Sequence, residues 1–199
     1  MSIMKKIKVC FSIDQFEKYA DGVSTVVIVD VLRATSVIST AFECGVTDII
    51  PVKTLEEALT YKDINNHIIA AERNTLPVKG FDYGNSPFHY INSNVKGKTL
   101  VLTTTNGTKA IHKAKEHKVI TASFINIDII VNYLLEDNKD VIVLCSGWKG
   151  FFNLEDSIFA GALSNKLLAT KFFSSNCDSL QASIQLYSSA KENLFNYLN

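Results

Sequence analysis

The chain has 199 residues, 47% hydrophobic and 20% charged, with twenty Lys and Arg balancing twenty Asp and Glu. That length can bury a sizeable core, and that composition excludes a disordered segment. Zero net charge removes the basic surplus expected of a nucleic-acid binder, while leaving room for one local positive pocket. In chain order, short β-branched runs alternate with helical patterns. Residues 6–11 read as a first strand and residues 25–30 (TVVIVD) as a second. A continuous Val and Ile run implies burial on both faces, as in a sheet covered by helices. Further strands are expected at 48–52, 67–71, 99–104, 118–121 and 140–145. Thr54 to Glu57 forms a capping box before a short helix, and Ser86-Pro87 sets a hydroxyl before a proline at the first helical position. Asp156 opens a periodic stretch over 157–170. Asp178 opens a last helix, with Leu180, Ile184, Tyr187, Leu194 and Tyr197 along one apolar side. The alternation predicts an α/β fold, three layers of α/β/α around a mostly parallel or mixed central sheet, as a single domain over 1–199.

No apolar run approaches the ~20 residues of a membrane span, and no signal-peptide pattern opens the chain. The expectation is a cytoplasmic protein without a membrane partner. Cys10, Cys44, Cys145 and Cys177 are widely spaced in apolar stretches, so they read as reduced core thiols. The apolar side of the last helix suits internal packing or a homo-oligomer contact. His67 leads into a strand, and His89, His112 and His117 fall on apparent helices among exposed-looking residues. No histidine pair has metal-ligand spacing.

In an open α/β sheet, functional residues gather at the carboxyl ends of strands. Here those ends are polar. Asp30 closes the most buried run, where a carboxylate is costly unless paired or bound to a metal. Arg33 follows one turn later, so the pair reads either as an ion pair or helix cap, or as a metal carboxylate beside an anion-binding guanidinium. Glu72-Arg73 repeats the arrangement after 67–71. The turn Gly80 to Pro87 contains Asn85 and Ser86, which can donate to a substrate or cap the next helix. Thr104, Thr105, Asn106, Gly107 and Thr108 lie between a strand and a helix, where backbone N–H groups can converge on an anion. No Walker loop or G-x-G-x-x-G fingerprint is present. Gly147 lies in the loop after 140–145, and Glu155 and Asp156 stand at a helix start. Either acid can join Asp30 and Glu72 as an oxygen ligand of Mg²⁺, which needs only two or three carboxylates. Arginine matches phosphate or sulfonate with a bidentate fork.

In this order, VVIVDVLRATSVI, AERNTLPVKGFDYGNSP, TTTNGTKA and CSGWKGFFNLEDSIFAG resemble the motifs of the 2-phosphosulfolactate phosphatase (ComB) family, over roughly residues 7–170. The resemblance implies a ComB-like α/β/α fold and Mg²⁺-dependent hydrolysis of 2-phosphosulfolactate to 3-sulfolactate and phosphate, a step of coenzyme M biosynthesis in methanogens. It carries Asp30, Arg33, Glu72, Arg73, Asn85, Thr104 to Thr108, Gly147, Glu155 and Asp156 over as matching positions. The chain departs from the pattern at Ala71, where the family has Gly, at Phe152-Asn153, and in a shortened C-terminal tail. The chemistry of the residues then assigns roles. Asp30, Glu72 and Asp156, with Glu155, hold Mg²⁺ directly or through water. The turn 105–108 grips the phosphoryl group, and Arg33 and Arg73 neutralise oxyanions. One acid activates water, or Asp30 attacks to form an acyl-phosphate. A non-catalytic binder of a small anionic metabolite and a lyase acting on an acidic metabolite remain as alternatives.

Overall fold

The computed structural model describes residues 4–91 and 93–198. Seven strands form where the sequence predicts them: β1 (Lys5–Cys10), β2 (Thr25–Val29), β3 (Asp48–Pro51), β4 (His67–Arg73), β6 (Thr99–Thr103), β7 (Lys118–Ala122) and β8 (Val141–Cys145). Two strands of two residues each, β5 (Leu76–Pro77) and β9 (Phe173–Ser174), were too short to carry a pattern. The α/β expectation holds, with parallel and mixed sheets covered by helices. The strands divide between two sheets, where a single central sheet was drawn. One is wholly parallel in the order β7-β2-β8-β1-β9; the other runs β3-β6-β4-β5, with β5 antiparallel to β4.

Strand periodicity explains how each sheet is covered twice. In the first sheet Ile7, Val9, Val27, Val29, Val141 and Val143 face one way. They pack against Leu134 of α5 (Ile127–Asp137), Phe159 and Leu163 of α6 (Leu154–Ala169), and Leu180 of α7 (Asp178–Ala190). Their neighbours Val26, Ile28, Ile142 and Leu144 face Phe16 of a 3₁₀ turn (Ile13–Lys18) and Ala110 of α4 (Gly107–Lys113). The second sheet repeats the scheme. Ile68, Ala70, Leu100 and Leu102 meet Val37, Ile38 and Ala41 of α1 (Ala34–Glu43), whereas Ile69 and Val101 meet Val52 and Ala58 of α2 (Leu55–Leu59). Full burial of each such side chain is worth roughly 1.5–3 kcal/mol, so both sheets are fixed in register by their two apolar faces.

The cap at Thr54 forms: Thr54 Oγ1 accepts from Glu57 N–H at 3.1 Å, while Glu57 Oε2 accepts from Lys53 N–H, one residue ahead of the cap, at 2.9 Å. Ser86-Pro87 leads into the single turn α3 (Phe88–Ile91). Helix α5 has no counterpart in the sequence reading, because its Ile- and Val-rich run lacks a strong start signal. The expected last helix breaks in two. Helix α7 ends at Ala190, and α8 (Leu194–Leu198) has no buried residue, so Leu194 and Tyr197 do not extend the face of Leu180. All four cysteines are free thiols. Burial raises Cys145 well above its ordinary pKa and Cys10 to about 11, as suits core thiols. No helix among the described residues is long and apolar enough to cross a membrane.

Helices α6 and α7 meet so closely that a Cβ on Gly161 would lie 2.0 Å from the carbonyl oxygen of Ser183. Both partners are helical backbone, so nothing flexible can yield. Gly161→Ala is expected to lower stability by about 3 kcal/mol, the upper end of overpacking effects. Urea unfolding checks this: the midpoint should fall with an unchanged slope.

Candidate functional site

A cavity of about 370 Å³ opens at the carboxyl ends of β2, β4, β6 and β8, and its wall includes Asp30, Arg33, Glu72, Asn85, Asn106 and Trp148. Both sheets therefore contribute to one site. Leu32 and Thr75 complete the lining. The sequence carried a signal for Leu32, inside the cluster Asp30 to Ser36, but none was read at Thr75.

Asp30 is the first residue past β2. The turn it opens is wound by hydroxyl groups. Thr35 Oγ1 donates to Asp30 O at 2.9 Å and accepts from Asp30 N–H at 3.1 Å, and Ser36 Oγ donates to Val31 O at 2.8 Å. Asp30 Oδ1 accepts from Ala34 N–H at 3.2 Å. Burial pushes the Asp30 carboxyl up to about 6; the neighbouring Glu72 carboxylate adds to the rise, and the N–H groups of Ala34, Arg33 and Gly107 oppose it. A carboxylate balanced near neutrality in a cleft is a marker of function, beyond what a helix cap requires.

Glu72 is clamped by backbone. Its Oε1 accepts from Thr75 N–H at 2.5 Å and from Thr105 Oγ1 at 3.2 Å, and its Oε2 accepts from Thr105 N–H at 3.2 Å. Thr75 lies in the two-residue turn between β4 and β5. Both turn residues are left-handed, Asn74 at φ 52° and Thr75 at φ 69°. A β-branched residue rarely adopts this conformation. Here its N–H holds Glu72, and its carbonyl oxygen accepts from Arg33 Nη2 at 3.0 Å. One strained turn thus orients an acid and a base toward the same cavity. Asn85 follows Gly84, whose carbonyl oxygen accepts from Tyr90 OH at 3.1 Å. It is buried, and its Oδ1 has no hydrogen-bond partner.

The other expected residues stand behind this cavity or elsewhere. Asp156 turns both oxygens to backbone: Oδ1 accepts from Val31 N–H at 2.9 Å and Oδ2 from Gly147 N–H at 3.2 Å. It ties the Asp30 turn to the loop carrying Trp148. Burial and the nearby Asp30 carboxylate raise its pKa well above the ordinary range. Glu155 is half-buried on the same helical turn. Among the described residues no three His, Cys, Asp or Glu side chains form a group that could hold a metal ion. Of the four expected carboxylates, the structure brings Asp30 and Glu72 to the cavity and leaves Glu155 and Asp156 outside its lining. Two carboxylates and the free amide oxygen of Asn85 still make an all-oxygen donor set, the kind that suits Mg²⁺.

The turn after β6 is largely occupied with itself. Thr108 N–H donates to Thr104 Oγ1 at 3.1 Å, and Thr104 N–H donates to Thr108 Oγ1 at 3.2 Å. Thr105 holds Glu72, so only Asn106 of the five residues lines the main cavity. Arg73 is also apart from Arg33. It alternates with Glu72 along β4 and lines a second cavity with Thr104 and Thr105. Gly147 sits at φ 66°, where a Cβ would lie 2.3 Å from Phe151 O, so it permits the Trp148 loop rather than touching the cavity. The histidines lie outside the main cavity too. His117 is not on a helix; the residue is half-buried, with its side chain 6% exposed.

Gly107 lets α4 approach Asp30. A Cβ there would lie 2.5 Å from Ala34 Cβ and 2.7 Å from Asp30 Oδ2. Gly107→Ala is expected to displace the Asp30 carboxylate and to destabilise the fold by roughly 1–3 kcal/mol. Thermal melts check this.

Residues 10–199 match the family model described as 2-phosphosulpholactate phosphatase. Among relatives called probable 2-phosphosulfolactate phosphatase, the one from Thermotoga maritima is 48% identical over 143 residues, 72% of this chain and 62% of that protein. The one from Caldanaerobacter subterraneus subsp. tengcongensis is 40% identical over 177 residues, 87% of this chain and 73% of that protein. A Clostridium botulinum relative is 38% identical over 198 residues, 97% of this chain and 82% of that protein. The chain thus spans 62% of the length of the Thermotoga maritima relative and more of the other two. The match covers every residue that lines the cavity, and the chain belongs to the 2-phosphosulpholactate phosphatase family.

Proposed function

We propose that this chain is a Mg²⁺-dependent phosphatase that hydrolyses a small phosphorylated acid, 2-phosphosulfolactate, to 3-sulfolactate and phosphate. The observation that carries the reading is the pairing of two buried carboxylates, Asp30 and Glu72, with the Arg33 guanidinium around one cavity. The family relationship and the probable activity named for the relatives add independent support.

Asp30 and Glu72 would hold Mg²⁺, with Asn85 Oδ1 as a neutral donor. The ion would supply Lewis-acid neutralisation of the phosphoryl oxygens. Arg33, braced by Thr75 O, offers its remaining N–H groups to an oxyanion of the substrate. Asn106, also in the lining, is a further amide donor. Leu32 and Trp148 bring apolar surface to the mouth and thin the water around the bound ester. Asp30, on the cavity wall beside Arg33, is placed to accept a proton from attacking water. Water oxygen bonds to phosphorus, the ester P–O bond breaks, and the alcohol oxygen leaves and is reprotonated from solvent. Asp156 serves as a positioning group that keeps the Asp30 turn and the Trp148 loop in register.

The test is a phosphate-release screen over small phosphorylated acids, including 2-phosphosulfolactate, with Mg²⁺ and with chelator. Release from 2-phosphosulfolactate that chelator abolishes is the expected result. Chelator-insensitive release would overturn the metal assignment, and binding without release would overturn the enzyme assignment.

A further inference from the structure

The cavity that Arg73 lines is about 350 Å³ and lies across β4 from Glu72. Successive strand residues point to opposite faces of the sheet, so the β4 backbone separates it from the cavity of Asp30. Three cations reach it, Lys53, Arg73 and Lys109, against a single carboxylate, Glu56. None of the three takes part in an ion pair among the described residues. Arg73 is fixed: Nη1 donates to Glu72 O at 2.7 Å and Nη2 to Thr103 Oγ1 at 2.9 Å. A guanidinium held this way is preorganised for an oxyanion. A third cavity shares Lys109 and Thr105 and adds Lys149 and Asp14.

We propose that this basic cavity is a second binding site for a tetrahedral oxyanion, distinct from the site of the reacting phosphoryl group. The three cations dominate it. The Thr105 hydroxyl donates to Glu72, whereas the Thr54 and Thr104 hydroxyls accept from backbone N–H groups. Recognition is by cations, which selects for charge and not for a particular organic skeleton. Thr105 belongs to both cavities, because it walls this one and clamps Glu72 in the other. An anion seated here rests against the clamp of a reacting-site acid. Given the phosphatase reading, on which the identity of the occupant rests, inorganic phosphate is that occupant and its binding here is expected to inhibit turnover.

Calorimetric titration of the full chain with inorganic phosphate, in chelator at low ionic strength, tests the proposal. Wild type is expected to bind one equivalent, because the reacting site without Mg²⁺ sets two carboxylates against one guanidinium. The double variant Lys53→Gln, Lys109→Gln should weaken it at least tenfold, and Arg33→Gln should leave it within twofold. Both lysines are solvent-exposed, so the double variant should melt with wild type. No binding in wild type, or binding that the lysine variant leaves unchanged, overturns the proposal. Turnover then separates the source of the anion. If free phosphate is the occupant, KM for the ester stays within twofold in the lysine variant and phosphate inhibition weakens tenfold. A tenfold rise in KM instead assigns the same site to the acidic tail of the substrate. The titration needs no turnover, so it reads out even if no phosphate ester is hydrolysed.

Discussion

Asp30→Asn should reduce phosphate release by about a thousandfold or more, within the range lost when a general base is removed, and should leave the fold intact. The amide oxygen can still accept from Ala34 N–H, as Oδ1 does at 3.2 Å in the wild type. The variant loses the negative charge and the basic oxygen, while shape and volume hardly change. A second outcome follows from the same burial. With its folded pKa raised to about 6, against roughly 3.9 in an unfolded chain, ionised Asp30 opposes folding. Its neutral form is favoured in the folded state, so this group's stabilising contribution is complete below the unfolded pKa. That contribution is lost as pH rises through about 6. At pH 8 without divalent cation, the Asn variant should therefore melt a few degrees above wild type, although its NH₂ group facing Gly107 takes back part of the gain. Toward pH 4 the difference should vanish. A variant that retains most activity would remove Asp30 from the chemistry. One that melts well below wild type at pH 8 would mean that the carboxylate stabilises the turn more than its burial opposes it.

Most of the scaffold was readable because it follows from local pattern. The run 25–29 is so apolar that only a strand covered on both faces can use it, and the register of β2 between β7 and β8 bears this out. Polar residues at strand ends pointed correctly to Asp30, Arg33, Glu72, Asn85 and Asn106 as neighbours in space. What the sequence could not give was side. Glu72 and Arg73 are adjacent in the chain, yet strand alternation sends them to different cavities. Asp156 looks like a metal carboxylate in sequence, but two backbone N–H groups from distant loops take its oxygens. Thr75 was passed over because its role belongs to its main chain: a left-handed turn offers an N–H to one side chain and a carbonyl to another. The division into two sheets was equally hidden, since strands of both have the same composition.

Glu72→Gln is expected to do more harm than removal of one charge implies. Two backbone N–H groups, of Thr75 and Thr105, are aimed at different oxygens of the carboxylate. A carboxylate can accept on both, but a glutamine amide has one acceptor and one NH₂ group. Whichever way the amide turns, one of these N–H groups confronts a donor. If Thr75 loses its partner, little holds a β-branched residue at φ 69°, and such strain persists only where surrounding contacts over-determine it. The turn then relaxes, and the carbonyl that braces Arg33 moves with it. One substitution therefore weakens both the Glu72 carboxylate and the Arg33 guanidinium as parts of the site. The expected result is a kcat lower by about two to three orders of magnitude together with a KM raised about tenfold, the signature of lost catalysis and lost ground-state binding combined. Amide hydrogen exchange separates this account from a pure charge effect. Exchange at Thr75 and Thr105 should accelerate in Glu72→Gln and stay at wild-type rates in Asp30→Asn. Equal protection in both variants, with kcat reduced and KM unchanged, would mean that Glu72 acts through its charge alone and that the turn holds itself.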